Sequence, residues 1–462
     1  MKQYDAIIIG SGQAGVPLSK KLAKAGKKTL LIEKGVVGGT CINDGCTPTK
    51  TMVASARIAY LAGRCNDMGV NIKGYKVDLK QIKKRTRGIV LKSRNGAQKA
   101  IEETPNLDLV FGEAMFESDK IVTVKLKGGK TKQFTANQIF INTGAKTIIP
   151  KDIKGLDEID YLTSHSILEL EKVPEHLLVI GGNYIGLEFG QMFRRFGSKI
   201  TIIEKSAQLL SREDEDIASA VTDILTGEGL TIHTNAKISK FRQKEKGKIT
   251  ATMLVEGKET RIKCSHVLIA VGRSPQTETL DLNKAGIKTG EKGEVLVNTK
   301  LETNIKGIYA LGDVKGGPAF THIAYNDYTI VYRNLIENQN LSIKNRPVPY
   351  CMFTDPELGR VGITEKDAKE QGLKYEVAKL PMAHVARAIE TGDTRGLMKA
   401  IVDPKTKKIL GVAIVGTEGG EIMTVLQMAM MGGITYDRIR YCVFAHPTYS
   451  ESLNNLFMTL ED

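Results

Sequence analysis

Cysteine is scarce in this chain: there are six in 462 residues, and four of them (Cys65, Cys264, Cys351 and Cys442) are widely scattered. That scarcity excludes a disulfide-stapled secreted scaffold, and the scattered four read as buried, inert thiols. Long apolar runs are missing as well. No stretch of about 18 apolar residues is available to span a bilayer, and Met1 to Asp5 leads straight into Ala6, Ile7, Ile8, Ile9 and Gly10 without a signal-peptide pattern. A soluble, cytoplasmic protein with no membrane association is expected. Acidic residues are outnumbered, 52 against 66 basic, for a formal charge of +14. Part of the excess is a stripe of Lys80, Lys83, Lys84, Arg85, Arg87, Lys92, Arg94 and Lys99. No nucleic-acid motif accompanies it, so the stripe reads as a solvated helix face and no nucleic-acid partner is expected. Docking to an acidic protein partner is the other use such a charge has.

What is present is a repeat. At 462 residues with 41% hydrophobic content the chain is long enough for several cores. Residues 5 to 9 form a continuous apolar strand that runs into Gly10, Gly12 and Gly15, then a helical pattern through Leu18, Leu22 and Ala25, then a second strand from Thr29 to Ile32. The order recurs with Leu177 to Ile180, the glycines Gly181, Gly182 and Gly186, a helix through Phe193, and Lys199 to Ile203. Spacing recurs too: Glu33 lies 23 residues after Gly10, and Glu204 lies 23 residues after Gly181. In a βαβ unit of this kind the glycines let a pyrophosphate approach a helix N-terminus, and the carboxylate at the end of the second strand accepts ribose hydroxyls. Two dinucleotide sites are therefore expected. In the second, Asn183 stands where the first has its middle glycine, so a side chain must be tolerated beside the phosphates.

Further apolar strands end in glycine at Gly144, Gly272 and Gly312, the last followed by Asp313, which is how α/β sheets present ligands. Beyond about Asn345 the character changes to alternating strands and Met-rich helical stretches, an α+β pattern with no phosphate loop.

The stretch from Gly38 to Lys50 carries the chemistry. Cys41 and Cys46 are five apart; on a regular helix their Cα atoms would sit roughly 8 to 9 Å apart, beyond the limit of about 7 Å for a disulfide. Gly45 is expected to supply a distorted first turn, and a nearby helix N-terminus favours thiolate. Structural zinc needs four ligands, and no second pair or nearby histidine cluster exists, so no resident metal is expected. An inert buried pair is the remaining reading of these two thiols.

The motif Gly38-Gly39-Thr40-Cys41, Cys46, Pro48 and Lys50, with Gly312-Asp313 and the run from His446 to Glu451, resembles class I pyridine nucleotide-disulfide oxidoreductases, the family of dihydrolipoyl dehydrogenase, glutathione reductase and mercuric reductase. The likeness covers essentially the whole chain. It implies an α/β fold with two Rossmann-like dinucleotide-binding domains, one for FAD and one for NAD(P), plus a C-terminal α+β dimerisation domain. Expected boundaries are 1–149 for the FAD domain with the cysteine pair, 150–272 for the NAD(P) domain, 273–345 for a segment completing the FAD and central region, and 346–462 for dimerisation.

By resemblance, FAD is held by Gly10, Gly12, Gly15, Glu33, Lys34, Gly39, Thr40, Ala114, Thr143, Gly144 and Asp313. The nicotinamide nucleotide is held by Gly181, Gly182, Gly186, Glu204 and Gly272. Cys46 is implied as the thiol against the flavin and Cys41 as the one that meets substrate, with Lys50 near flavin N5 together with Glu188. His446 is implied as a general acid/base oriented by Glu451 and contributed by the partner of a homodimer. Thr448 and Glu451 also have the spacing of a capping box at a helix start, an alternative use of that carboxylate. Of the other histidines, His322 follows Asp313 closely enough to lie near the flavin. Glu204 favours NADH because a carboxylate repels the 2′-phosphate of NADPH; Lys205 and Arg212 leave NADPH open.

The acceptor is expected to be a small molecule or a disulfide, a metal ion or an oxidant. His446, Pro447, Thr448 and Glu451 resemble dihydrolipoyl dehydrogenase, whereas Thr47 to Lys50, Arg387 and the stretch Asp393 to Gly396 are closer to mercuric-reductase-like proteins. Mercuric reductases carry a C-terminal cysteine pair and an N-terminal metal-binding module; neither is expected of this chain, whose residues Asn455 to Asp462 hold no cysteine, so mercury reduction is not the expected activity. The run Ser450 to Phe457 is also similar to bacterial flavoprotein disulfide reductases linked to oxidant or copper stress.

Overall fold

The computed structural model describes residues 1–255 and 257–460, which leaves Glu256, Glu461 and Asp462 outside the described residues. By internal contact the chain forms two compact units: Met1–Thr51, Lys83–Ile148 and Gly272–Arg346 in the first, and Met52–Ile82, Ile149–Val271 and Pro347–Asp462 in the second.

The first unit opens with β1 (Lys2–Ile9), α1 (Gly15–Lys24), β2 (Thr29–Glu33), α2 (Gly39–Asn43) and the start of α3 (Cys46–Gly63), and continues from α4 (Leu79–Glu102) through β3 (Leu107–Phe116), β4 (Ile121–Leu126) and β5 (Thr131–Ile141). β1 lies between β2 and β5, parallel to both; β2 pairs with β3, and the short strand Ile308–Ala310 extends β5, again in parallel. β4 joins β3 to β5 with antiparallel pairing. A central strand covered on both faces must be apolar throughout, and the two-residue period divides β1 between two cores. Ala6 and Ile8 pack with Leu18, Leu22 and, from the helix Thr321–Ile336, Ala324, Tyr328 and Val331. Ile7 and Ile9 pack with Leu30, Phe116, Phe134 and Leu280 on the other side. Each such fully buried aliphatic side chain contributes about 1.5–3 kcal/mol.

In the second unit a parallel sheet runs in the order Thr231–His233, Lys199–Ile203, His176–Ile180, His266–Ile269, Tyr161–Leu162, with α5 (Tyr184–Phe196) following its central strand. A three-stranded antiparallel sheet, Ala236–Glu245, Lys248–Val255 and Lys258–Cys264, adjoins it. The C-terminal part is a five-stranded antiparallel sheet, Tyr350–Met352, Glu357–Gly362, Ile409–Gly416, Leu397–Val402 and Glu376–Pro381, with the helix Gly419–Met431 packed on its middle strands. Residues 52–82, expected to remain with the first domain, group with the second unit. Met52, Ala56 and Leu79 are buried in the same core as Leu177, Leu187 and Phe193. Among the described residues no helix is long and apolar enough to cross a membrane.

The repeat read from spacing is a repeat of geometry. Gly10 N donates to Ile32 O at 2.8 Å, and Gly181 N donates to Ile203 O at 2.9 Å. A Cβ on Gly15 would lie 2.0 Å from Gly10 O, and one on Gly186 would lie 2.1 Å from Gly181 O. The third glycine of each turn is thus required because the helix starts against the carbonyl of the first.

Candidate functional site

Cys41 and Cys46 do not share a distorted helix. Cys41 lies in the short α2, Asp44 breaks the helical path at φ −144°, and Cys46 opens α3. Gly45 adopts no positive φ; what it provides is room, since a Cβ there would come within 2.9 Å of Thr40 O. The break brings the two side chains together, with the Cys41 thiol hydrogen-bonded to Cys46. That bond, followed by burial, raises the Cys41 thiol above its ordinary range, while Thr321 and Lys50 act in the opposite sense. A negative charge on Cys46 would lie at the head of an 18-residue helix, where the dipole favours it. Thr321 Oγ1 lies 3.3 Å from Cys46 Sγ. No motif marked Thr321; its only sequence signal is its position eight residues after Asp313, at the start of a helix.

Around this pair the first unit supplies polar anchors. Arg273 Nη1 donates to Asp313 Oδ2 at 3.2 Å, and its Nη2 donates to Ala145 O at 2.5 Å and Thr40 Oγ1 at 3.4 Å. Burial raises the Asp313 carboxyl above the usual carboxylate range, against the pull of Arg273 and Lys315. Asp327, fully buried, accepts from Gly312 N at 2.8 Å and pairs with Arg346 at 2.6 Å, which fixes the turn carrying Asp313. Lys34, Thr143 and Gly144 converge on Gln276: Lys34 Nζ donates to its Oε1, Thr143 Oγ1 to its carbonyl, and its own amide donates to Gly144 O. Ala114 is buried in β3 opposite Val124, apart from that group. Gly39 comes so close to the first glycine turn that a Cβ on it would lie 2.7 Å from Gly12 Cα. His322 stacks on Phe320 with ring centroids 5.3 Å apart.

Both glycine turns have the donor set a dinucleotide needs. α1 starts with no side-chain cap and no acidic residue in its first turn, leaving its N-terminus open to an anion. Glu33 is held ready by Ser11 N, Ser11 Oγ and Gly35 N at 3.0, 2.6 and 2.7 Å. Glu204 is held by Gly182 N at 2.7 Å and Ser206 N at 2.8 Å. Each carboxylate keeps lone pairs for hydroxyl donors. Asn183 needs no unusual backbone: at φ −108° and ψ 176° it is extended, and its side chain accepts from Tyr184 N. Gly272 takes φ +130° and its carbonyl accepts from Ile148 N.

Lys50 sits one turn beyond Cys46 on α3. In the second unit, Glu188 is buried in α5 and accepts from Phe353 N at 2.9 Å. His446 Nδ1 lies 2.8 Å from Glu451 Oε2, with the imidazole 68% exposed. The capping alternative is half realised: Thr448 Oγ1 accepts from Glu451 N at 3.1 Å, but the helix begins only at Ser452 and the Glu451 carboxylate turns to His446. Of the four scattered cysteines only Cys264 is buried, and Cys442 is exposed, so the expectation of four buried thiols is corrected. Among the described residues no group of three or more His, Cys, Asp or Glu is placed to hold a metal ion.

Residues 4–327 match the family described as pyridine nucleotide-disulphide oxidoreductase, and residues 348–457 match the dimerisation domain of that family. A mercuric reductase of Staphylococcus aureus is 38% identical over 459 residues, 99% of this chain and 82% of that protein. The probable pyridine nucleotide-disulfide oxidoreductase RclA of Escherichia coli is 38% identical over 461 residues, 99% of each. A solved structure, the Cu(II) complex of the HOCl-induced flavoprotein disulfide reductase RclA from Escherichia coli, aligns with TM-score 0.91 at 37% identity, covering 100% of both chains.

Proposed function

The chain belongs to the pyridine nucleotide-disulphide oxidoreductase family, and from that premise we propose that it is a cytoplasmic, homodimeric, FAD-dependent NAD(P)H oxidoreductase that passes electrons through Cys41 and Cys46 to a disulfide, metal-ion or oxidant acceptor. The observation that carries this reading is the Cys41 thiol bonded to Cys46 across a helix break, with Thr321 against the second sulfur. FAD, when bound along the first glycine turn, supplies the transfer of an electron pair from the nicotinamide to the disulfide.

The protein's own steps follow from the site. Two electrons break the S–S bond; the charge is left on Cys46 Sγ and one proton on Cys41. To act on an acceptor Cys41 must lose that proton. His446, its Nδ1 bonded to Glu451, has Nε2 free to receive it, and in the homodimer the partner subunit supplies this imidazole. With a disulfide acceptor, Cys41 sulfur attacks and releases one thiol, then Cys46 displaces the second and the Cys41–Cys46 bond returns. With Cu(II), the ion named in the RclA structure, two ions each take one electron, the Cys41–Cys46 bond returns, and the proton on Cys41 leaves.

Glu204, already fixed by two amides, favours NADH: it accepts ribose hydroxyls and repels a 2′-phosphate. The His446–Glu451 pair also supports dihydrolipoyl dehydrogenase as a second reading, since the thiols of a dithiol substrate must give up protons as they exchange with the disulfide.

The test is anaerobic titration of the purified yellow protein with NADH and then NADPH. A long-wavelength absorbance band that is lost in Cys46→Ser is expected. Flavin reduction with no such band in the wild type would place the cysteines outside the electron path. Screening dihydrolipoamide against glutathione disulfide, quinones, Cu(II) and Hg(II) then separates the acceptors.

A further inference from the structure

The basic stripe on α4 has a use beyond solvation. Arg87 and Arg94 are seven residues apart, two turns of helix, and so share a face. Both reach one residue of the redox segment. Arg87 Nη1 donates to Asn43 O at 2.8 Å, and Arg94 Nε donates to Asn43 Oδ1 at 2.7 Å. Arg87 also lies 4.0 Å from Asp44 Oδ1, and Arg85 Nη1 donates to Thr51 O at 3.2 Å beyond the motif. Asn43 is 3% exposed, and its amide nitrogen donates to Val37 O at 3.0 Å and Gly39 O at 2.9 Å. It is the last residue of α2, two after Cys41 and three before Cys46.

The carbonyl at a helix C-terminus has no intrahelical partner, and a five-residue helix has little cooperative stability of its own. Here the orphan carbonyl and the side-chain oxygen of one residue are each taken by a guanidinium. We propose that Arg87 and Arg94 are positioning residues for the redox pair: through Asn43 they hold α2, and hence Cys41, at disulfide distance from Cys46 in both the oxidised and the reduced state. The inference rests on the redox role proposed for the two cysteines. Disulfide geometry is narrow, with Cα atoms roughly 4.4–6.8 Å apart, so α2 must not drift when reduction breaks the S–S bond. Guanidinium suits this task because it stays charged at every working pH and its donors are fixed in a plane. Loosening the clamp lowers the effective concentration of one thiol at the other, which destabilises the disulfide relative to the dithiol and raises the reduction potential of the pair.

The experiment uses the flavin-loaded protein in glutathione redox buffers, with thiols trapped by alkylation and the Cys41–Cys46 disulfide quantified by mass spectrometry. Arg94→Gln is expected to favour the dithiol by about tenfold, a shift of about 30 mV in the midpoint for a two-electron couple, and Arg87→Gln in the same direction. Arg94→Lys, which keeps the charge and one donor, should recover part of the shift and reports even where the glutamine variants fold poorly. Lys99→Gln on the same helix, whose ammonium lies 3.6 Å from Glu103, serves as control and should not move the midpoint. Midpoints unchanged from wild type in Arg94→Gln, Arg87→Gln and Arg94→Lys overturn the clamp, whatever happens to their thermal stability. Failure of the wild type to form the disulfide at any oxidising ratio would instead sink the redox reading itself.

Discussion

At the first glycine turn a residue from far along the chain closes the geometry. Asn142, just past the end of β5, accepts from Gly15 N at 2.9 Å and donates to Leu311 O at 2.9 Å. At the second turn the asparagine stands inside the loop, where Asn183 accepts from Tyr184 N at 2.8 Å and opens α5. The first and third glycines and the terminal carboxylates match position for position, yet one turn is fastened by tertiary contacts and the other by a local cap. Sequence-local capping costs little when lost, because water can replace it; a buried amide joining two backbone groups leaves both unpaired.

The largest effects should come from the shared feature. Gly15→Ala drives a Cβ into Gly10 O, and the expected product is a colourless protein without flavin. Gly186→Ala should keep the flavin and lose reduction by NADH, as read by absorbance at purification and by anaerobic titration. If both variants retain flavin and NADH reduction, the two turns are not the dinucleotide sites. Asn142→Ala comes next: with Gly15 N and Leu311 O unpaired in the interior it should cost roughly 2–6 kcal/mol, whereas Asn183→Ala should cost about 0.5–2 kcal/mol. Urea unfolding of the two variants measures the difference, and equal losses would erase the distinction drawn here.

Much of this was legible beforehand because it depends on spacing along the chain. Gly10, Gly15 and Glu33, and their counterparts Gly181, Gly186 and Glu204, are fixed by the length of a strand and a helix turn, so the repeat could be read from residue types alone. Cys41 and Cys46 were legible for the same reason. Asn142, Arg273, Thr321 and Asp327 were not: each acts on a segment to which no fixed spacing ties it. Arg87 and Arg94 were seen but read as solvated, since a helix face shows its charge in sequence and not what it touches. The burial of Met52 and Leu79 in one core with Leu177 is not legible in the sequence, because it is decided by packing rather than by pattern.

Smaller changes sharpen the comparison between carboxylates. Glu204→Gln removes the charge that opposes a 2′-phosphate while keeping an acceptor, and should move the NADPH to NADH ratio of kcat/KM several-fold toward NADPH; an unchanged ratio would mean that Glu204 does not face the ribose. Nine residues on, Glu213 is buried beside Arg360, and burial pushes its carboxyl up to about 7 from an ordinary 4.5, against the pull of Arg360. Because the folded value is raised, the stability it contributes is complete below about pH 4.5 and is lost as pH rises through about 7. Thermal unfolding from pH 5 to 8 should therefore decline less in Glu213→Gln than in wild type, and parallel declines would contradict the assignment.

Between donor and acceptor the electron pair is proposed to reside on Cys41 and Cys46. Anaerobic reductive titration counts those electrons directly. Wild type is expected to consume two equivalents of a two-electron reductant per flavin, one for the flavin and one for the disulfide, and Cys46→Ser to consume one. A wild-type protein that takes up only one equivalent, with both thiols already free to alkylation in the air-oxidised enzyme, would contradict it.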